Sequence, residues 1–481
     1  MGLYPTNTRE KYPIWEYTEK EDDIKFRLRE WNILHFNQSH DTPLASADWE
    51  ARLTPEDQLT EDMKELITSA IESSTDLHHD SKCVLEEILR NIKDPMPPEK
   101  TTIALDEFRS FYRTTKEDIS SSPSGLHLDH YKAASHSAEF SKILWHIASL
   151  ALDNQFCLQR WQHSATILLE KVAGKPMILR FRTIHLLESD LNYVMRKIWG
   201  RDFMIHNEQL QNFHSNQYGG RKGRQPGSSI LNKVLTLDII RYYGEDMVII
   251  DNDAKACYDR VLPYLTMFML RRLGMPLFLG RFLCTVLKEM QYTIRTNYGR
   301  AEPYNQKDAR IFGTGQGAGW SPPCWAANSD IISCAMERHT PGMLLQHPNL
   351  NLQSHRDLDA FVDDTSLGLT QTAYQQFDPP PNAPVAKGTS LYHQAQLNTQ
   401  FYSRLLFTTG GLLAIQKCVA YLLLFTWING TKRMQKVSDK YEPMEIRQGI
   451  NLDPDYIKIK DPWEAFRMLG AYVAPDGNVY L

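Results

Sequence analysis

Hydrophobic and polar positions divide this chain into stretches of two periods. His136 to Leu152 and Leu191 to Ile198 place apolar residues three and four apart, which predicts helices. Met247 to Ile250 and Ala360 to Val362 are short apolar runs, which predict buried strands. Residues 1–92 are helical in pattern and end in DPMPPEK (Asp94 to Lys100), whose prolines predict a linker or rigid turn. FDPPPNAPVAKGTS (Phe377 to Ser390) predicts an exposed loop. Helices and strands mix without strict alternation, so the expected class is α+β rather than a doubly wound sheet. There is no internal repeat.

Composition narrows the class. The chain has 481 residues, 42% of them hydrophobic and 23% charged, which is ordinary globular usage. No apolar run reaches the roughly 18 residues that cross a bilayer; the longest candidate, Gly411 to Ile428, is interrupted by Lys417. The first residues lack an apolar core before a cleavage site, so a secretory signal is not expected. The seven cysteines are scattered, with no pair at zinc-ligand spacing, which fits a reducing compartment. His127 and His130 have no Cys or His pair to complete a metal site and read as loop histidines. An intracellular protein, cytoplasmic or nuclear and without a membrane partner, is expected.

The net charge of −5 conceals an uneven spread. Residues 1–100 sum to −10 and residues 171–310 to +9. Positive charge clusters at Lys171, Lys175, Arg180 and Arg182, at Arg196, Lys197 and Arg201, and at Arg221, Lys222 and Arg224. Phosphate binding needs such local fields, although charge alone fits a set of solvated faces as well.

Two places set acids at the end of an apolar run: MVIIDNDAKACYDRV (247–261) and DAFVDDTSLGL (359–369). Ionised carboxylates beside a core are costly unless paired or bound to a cation. The second segment predicts a hairpin with Asp363–Asp364 at its tip. Carboxylates from separate strands suit two-metal phosphoryl transfer, whereas a lone DD read by itself is a hydrophilic turn.

Other segments accompany them in order: SSPSGLHLDHYKA (Ser121 to Ala133), ILLEKVAGKPMILRFRTIHLLESDLN (Ile167 to Asn192) and QYGGRKGR (Gln217 to Arg224) come first. After the first acid motif comes GTGQGAGWSPPCWAANSD (Gly313 to Asp330). After AFVDDTSL come TTGGLLAIQKCVAYL (Thr408 to Leu422) and FRMLGAYVAPDG (Phe466 to Gly477). This series resembles the reverse transcriptase domain of non-LTR retrotransposons, in the subgroup whose acid motif reads D-A-x-x-C-[FY]-D-R. The resemblance covers roughly residues 100–477, and FVDD stands for the usual YADD box.

The resemblance implies a right-hand polymerase with fingers and palm. Residues 1–99 would be an acidic, mostly helical connector, 100–240 the fingers and 241–481 the palm, with a loop insertion near 377–390. An antiparallel palm sheet backed by helices is expected. Eleven residues follow Gly470, so the thumb of the family is expected to be absent, as are the endonuclease and other parts of a parent element, and duplex binding would be weak. The implied activity is RNA-directed DNA polymerisation on an RNA template, from a DNA primer, with dNTPs and two Mg2+ or Mn2+ ions. An inactive RNA-binding remnant and an RNA-directed RNA polymerase are the alternatives.

Roles carry over residue by residue. The family's aromatic and acid five and six positions after the metal ligand select Asp253, followed by Tyr258 and Asp259, and not Asp251. Asp363 and Asp364 complete the metal set. Asp251 either adds charge near the metals or caps the strand. Tyr258 would exclude a sugar 2′-hydroxyl. Lys171 and Arg182 would hold the triphosphate, although FRTI departs from the family's usual Y/F-R-P-I and Glu170 replaces a usual proline. Gln316 and Gly317 head a helix beside the nascent base pair, and Lys417 would protonate pyrophosphate. Arg221, Lys222, Arg224, Leu469 and Gly470 would contact nucleic acid.

Overall fold

The structure is a computed structural model that describes residues 2–5, 15–54, 62–116, 122–347, 349–477 and 479–480. Ser121 of the first motif lies outside them. The chain is mixed α+β and forms two compact units. One comprises residues 1–40, 93–206 and 258–324, the other 41–92, 207–257 and 325–481. The units interleave along the chain, so the segments 1–99, 100–240 and 241–481 are each shared between them.

The first unit is built on a four-stranded sheet. In spatial order its strands are Phe181–Leu186, His163–Glu170, Gln291–Thr296 and Gly299–Arg300. His163–Glu170 runs antiparallel to Phe181–Leu186 and parallel to Gln291–Thr296. The helix predicted from His136 is Ala138–Asp153, started by the Ser137 side chain accepting from the Phe140 N–H. The helix predicted from Leu191 is Ser189–Met195, and its continuation Arg196–Phe203 is a π-helix. His127 and His130 form a capping box at the start of helix Leu128–Ser135. The DPMPPEK segment packs down rather than spanning solvent: Met96 is buried, and its N–H donates to the Gly274 carbonyl at 2.8 Å.

The second unit is built on a six-stranded sheet. In spatial order its strands are Leu358–Phe361, Asp364–Thr370, Met247–Asp253, Val419–Leu423, Asp453–Lys460 and Met444–Gln448. The expected antiparallel sheet needs one correction: Val419–Leu423 and Asp453–Lys460 run parallel, while the other pairs are antiparallel.

Met247–Asp253 lies inside the sheet, buried on both faces, which is why its apolar run is continuous. Alternation sends Met247, Ile249 and Asp251 to one face and Val248, Ile250 and Asn252 to the other. Helix Pro226–Tyr243 covers the first face, where Leu237 and Ile240 join Met247, Ile249, Val419 and Tyr421 in one core. Helix Leu391–Thr408 backs the sheet as well: its Tyr402 hydroxyl meets the Thr365 hydroxyl at 3.0 Å. Residues 377–390 carry no helix or strand, as expected of the loop.

Candidate active site

The site of the second unit follows from register. Asp364 pairs directly with Asp253, Ser366 with Asp251 and Phe361 with Asp364. Directly opposed residues in an antiparallel ladder bring their side chains together on one face. The sheet therefore sets Asp253 beside Asp364 by backbone geometry alone. The hairpin turn is Val362–Asp363, one residue earlier than expected, and Asp364 begins the return strand. Val362 adopts φ 55°, an unfavourable value for a β-branched residue. The Asp363 carbonyl accepts from the Ala254 N–H at 2.9 Å, which ties the turn to the end of the central strand.

The turn is braced from outside by QYGGRKGR. The Tyr218 N–H donates to the Ala360 carbonyl at 2.7 Å, and the Ala360 N–H donates to the Asn216 carbonyl at 2.9 Å. Gly219 then passes so close to Val362 that a Cβ there would stand 2.2 Å from the Val362 nitrogen. Arg221 of the same motif is buried; it bonds Glu208 at 2.7 and 3.1 Å and donates to the carbonyls of His214 and Gln217. Its charge is spent inside the protein. Lys222 is exposed, and Arg224 lies partly buried over the Tyr218 ring.

Lys417 ends a short 3-10 turn, Ile415–Lys417, just before strand Val419–Leu423. The Ala414 N–H donates to the Asp253 carbonyl at 2.9 Å, and the Lys255 N–H donates to Leu412 at 2.8 Å. Backbone bonds thus hold the lysine segment against Asp253. Lys417 Nζ donates to both oxygens of Asp253, at 2.9 and 2.8 Å.

Electrostatics mark this corner. Burial, then the charges of Asp363, Asp253 and Asp251, push the Asp364 carboxyl up to about 6. Burial and Asp253 raise Asp363 as well. Burial pulls Lys417 down, but its bonds to Asp253 and the surrounding carboxylates leave it above its ordinary value.

Asp251 differs from its neighbours. It forms a buried ion pair with Lys233 of helix Pro226–Tyr243 and accepts from the Ser366 hydroxyl. Sequence reasoning missed Lys233 because its partner is 18 residues downstream. A lone lysine on the apolar side of a helix was the available signal.

A pocket of about 250 Å³ opens beside Asp251, Asp253, Asp364 and Lys417, closed on one side by Phe466 and Arg467. That wall is the first strand of hairpin Phe466–Met468/Ala471–Val473. Its turn is Leu469–Gly470, both at positive φ, the two-residue turn that suits a twisted hairpin. The acids offer oxygen donors only, the set that hard divalent cations take. Among the described residues no three His, Cys, Asp or Glu side chains stand close enough together to hold a metal ion as they are. Lys417 instead occupies the Asp253 carboxylate.

The first unit collects a different group. Tyr258, Gln316 and Gly317 line one cavity of about 570 Å³, together with Arg196 and Arg201 of the π-helix. Gly317 has φ 103°, and a Cβ there would meet the His185 carbonyl at 2.7 Å. The loop crosses strand Phe181–Leu186 at this point, where the His185 N–H donates to the Gln316 carbonyl at 2.8 Å. The Gln316 amide reaches the buried Asp259 carboxylate at 3.4 Å, which also meets His35 at 3.0 Å.

Lys171 and Arg182 are both exposed at the loop end of the His163–Glu170/Phe181–Leu186 pairing and are not part of that cavity's lining. Glu170 accepts from the Gly174 N–H at 2.7 Å and closes the intervening loop.

No helix among the described residues is long and apolar enough to cross a membrane. Neither a scan against protein-family models nor a search of the curated proteins finds a match for this chain.

Proposed function

We propose that this chain is an RNA-directed DNA polymerase, which joins dNTPs to the 3′-hydroxyl of a DNA primer on an RNA template. The six-stranded unit would be the palm and the four-stranded unit the fingers. The observation that carries the reading is the convergence of Asp253, Asp363, Asp364 and Lys417 at one end of one sheet. Carboxyls whose pKa values are raised by burial and by one another at a pocket are the pattern of a functional site.

Asp253, Asp363 and Asp364 would hold two magnesium or manganese ions. Bound there, the ions would lower the pKa of the attacking hydroxyl and offset charge on the departing pyrophosphate. Lys417 would exchange Asp253 for the pyrophosphate and give it a proton. Asp251, ion-paired with Lys233, would support the strand rather than hold a metal ion. In the other unit, Tyr258 would exclude the ribose 2′-hydroxyl, Lys171 and Arg182 would bind triphosphate, and Gln316–Gly317 would face the nascent pair. The Leu469–Gly470 turn would contact the primer strand.

A primer-extension assay on a homopolymer RNA template, with magnesium or manganese, tests the reading. Extension with dNTPs is expected. Protein that binds the primer–template yet extends it with neither metal would contradict the proposal. Extension with rNTPs as fast as with dNTPs would point instead to an RNA-directed RNA polymerase.

A further inference from the structure

In the first unit, strands Gln291–Thr296 and Gly299–Arg300 form a tight hairpin. The Thr296 hydroxyl donates to the Gly299 carbonyl at 3.0 Å and accepts from the Tyr298 N–H at 3.1 Å, so the turn and its register are fixed. That register sets Arg295 directly opposite Arg300. Like charges in this position destabilise a ladder, because their side chains share one face.

Among the described residues no acid pairs with either arginine. The hairpin borders a pocket of about 240 Å³ that includes Ser124, Arg160, His163, Thr293, Arg295 and Arg300. Its nearby acids are already engaged. Arg160 pairs with Asp190 and lies 3.6 Å from Glu188, and Ser124 donates its N–H and its hydroxyl to Glu188 at 2.8 and 2.9 Å. Both Arg295 and Arg300 are exposed, and neither guanidinium has a hydrogen bond or ion pair among the described residues. By contrast, Arg201 is paired with Glu107 and Asp202, and Arg221 with Glu208.

The parallel pairing of His163 with Gln291 and Ala165 with Thr293 puts His163, Thr293 and Arg295 on one face. The result is two unneutralised guanidinium forks, an imidazole and a hydroxyl around one hollow. Guanidinium forks match phosphate oxygens in pairs.

We infer that Arg295 and Arg300 form a phosphate-binding site for the backbone of single-stranded RNA, outside the basic stretch from Lys171 to Arg224. The choice of RNA rests on the polymerase reading; the phosphate chemistry does not. A bound phosphate would neutralise the facing pair, which explains why the hairpin tolerates it.

The test uses the full chain in EDTA without dNTPs, so that binding is read apart from catalysis. A fluorescent homopolymer RNA is titrated at several salt concentrations against the parent, Arg295→Gln/Arg300→Gln and Arg295→Lys/Arg300→Lys. Each phosphate contact on a single strand contributes about −0.7 to the slope of log affinity against log salt. The Gln pair should make the slope shallower by about 0.7 to 1.4, with affinity down about tenfold at moderate salt. The Lys pair should keep the slope and lose part of the affinity, and all three proteins should melt cooperatively.

Unchanged slope and affinity in the Gln pair would overturn the inference, as would a parent that does not bind RNA. A parent that binds RNA through these arginines but extends no primer leaves the inference standing and removes the polymerase reading.

Discussion

The two sheets treat like charge in opposite ways. At the end of the six-stranded sheet, Asp253, Asp363 and Asp364 crowd together, and the fold supplies a cation, Lys417, that grips Asp253. In the hairpin of the four-stranded sheet, Arg295 faces Arg300, and among the described residues no acid pairs with either. Register forces both juxtapositions. A third case shows like charge with a built-in partner: Asp251, two residues before Asp253, is buried and paired with Lys233. Charge that serves stability is paired and enclosed. Charge left repelling at an open pocket is the kind that awaits a ligand.

The comparison can be broken at its strongest point first. Asp363→Asn should abolish primer extension, by roughly a thousandfold or more, because an amide cannot offset dication charge. RNA binding should persist, as read by fluorescence anisotropy. Extension at the parental rate would remove Asp363 from the site.

Lys233→Met comes next. It leaves the Asp251 carboxylate buried without its partner, which costs about 3–5 kcal/mol. Urea denaturation should show the loss, and Lys417→Met, whose lysine is more than half exposed, should cost far less. Equal losses would erase the distinction between the two lysines.

The smallest effects are gains. Asp364→Asn, measured by thermal melting in EDTA, should stabilise the protein by on the order of 1 kcal/mol, after discounting for solvent screening. Arg300→Gln should add a few tenths of a kcal/mol by relieving the facing arginine. Destabilisation by both would mean that the apparent repulsion is already balanced.

Much of this was legible in the chain. The apolar run 247–250 ended by acids announced an interior strand, and the second acid run announced a hairpin. The exact turn was not legible, since a valine at positive φ runs against local preference and is held there by the Asp363–Ala254 bond and the close passage of Gly219. Arg221 looked available by composition, yet Glu208 consumes it. The facing arginines were hidden in QYTIRTNYGR, where the NYG turn fixes which residues meet. The parallel strand pair and the interleaving of the two units depend on contacts far apart in sequence, to which periodicity is blind.

The central claim is that the acids at the end of the Met247–Asp253 strand form a divalent-cation site. Calorimetric titration of Mn2+ into the parent and into Asp253→Asn tests it most directly, without a template or nucleotide. The account predicts saturable binding by the parent and loss of that binding in Asp253→Asn, with both proteins folded by circular dichroism. Equal Mn2+ binding by the two proteins, or none by the folded parent, would contradict it.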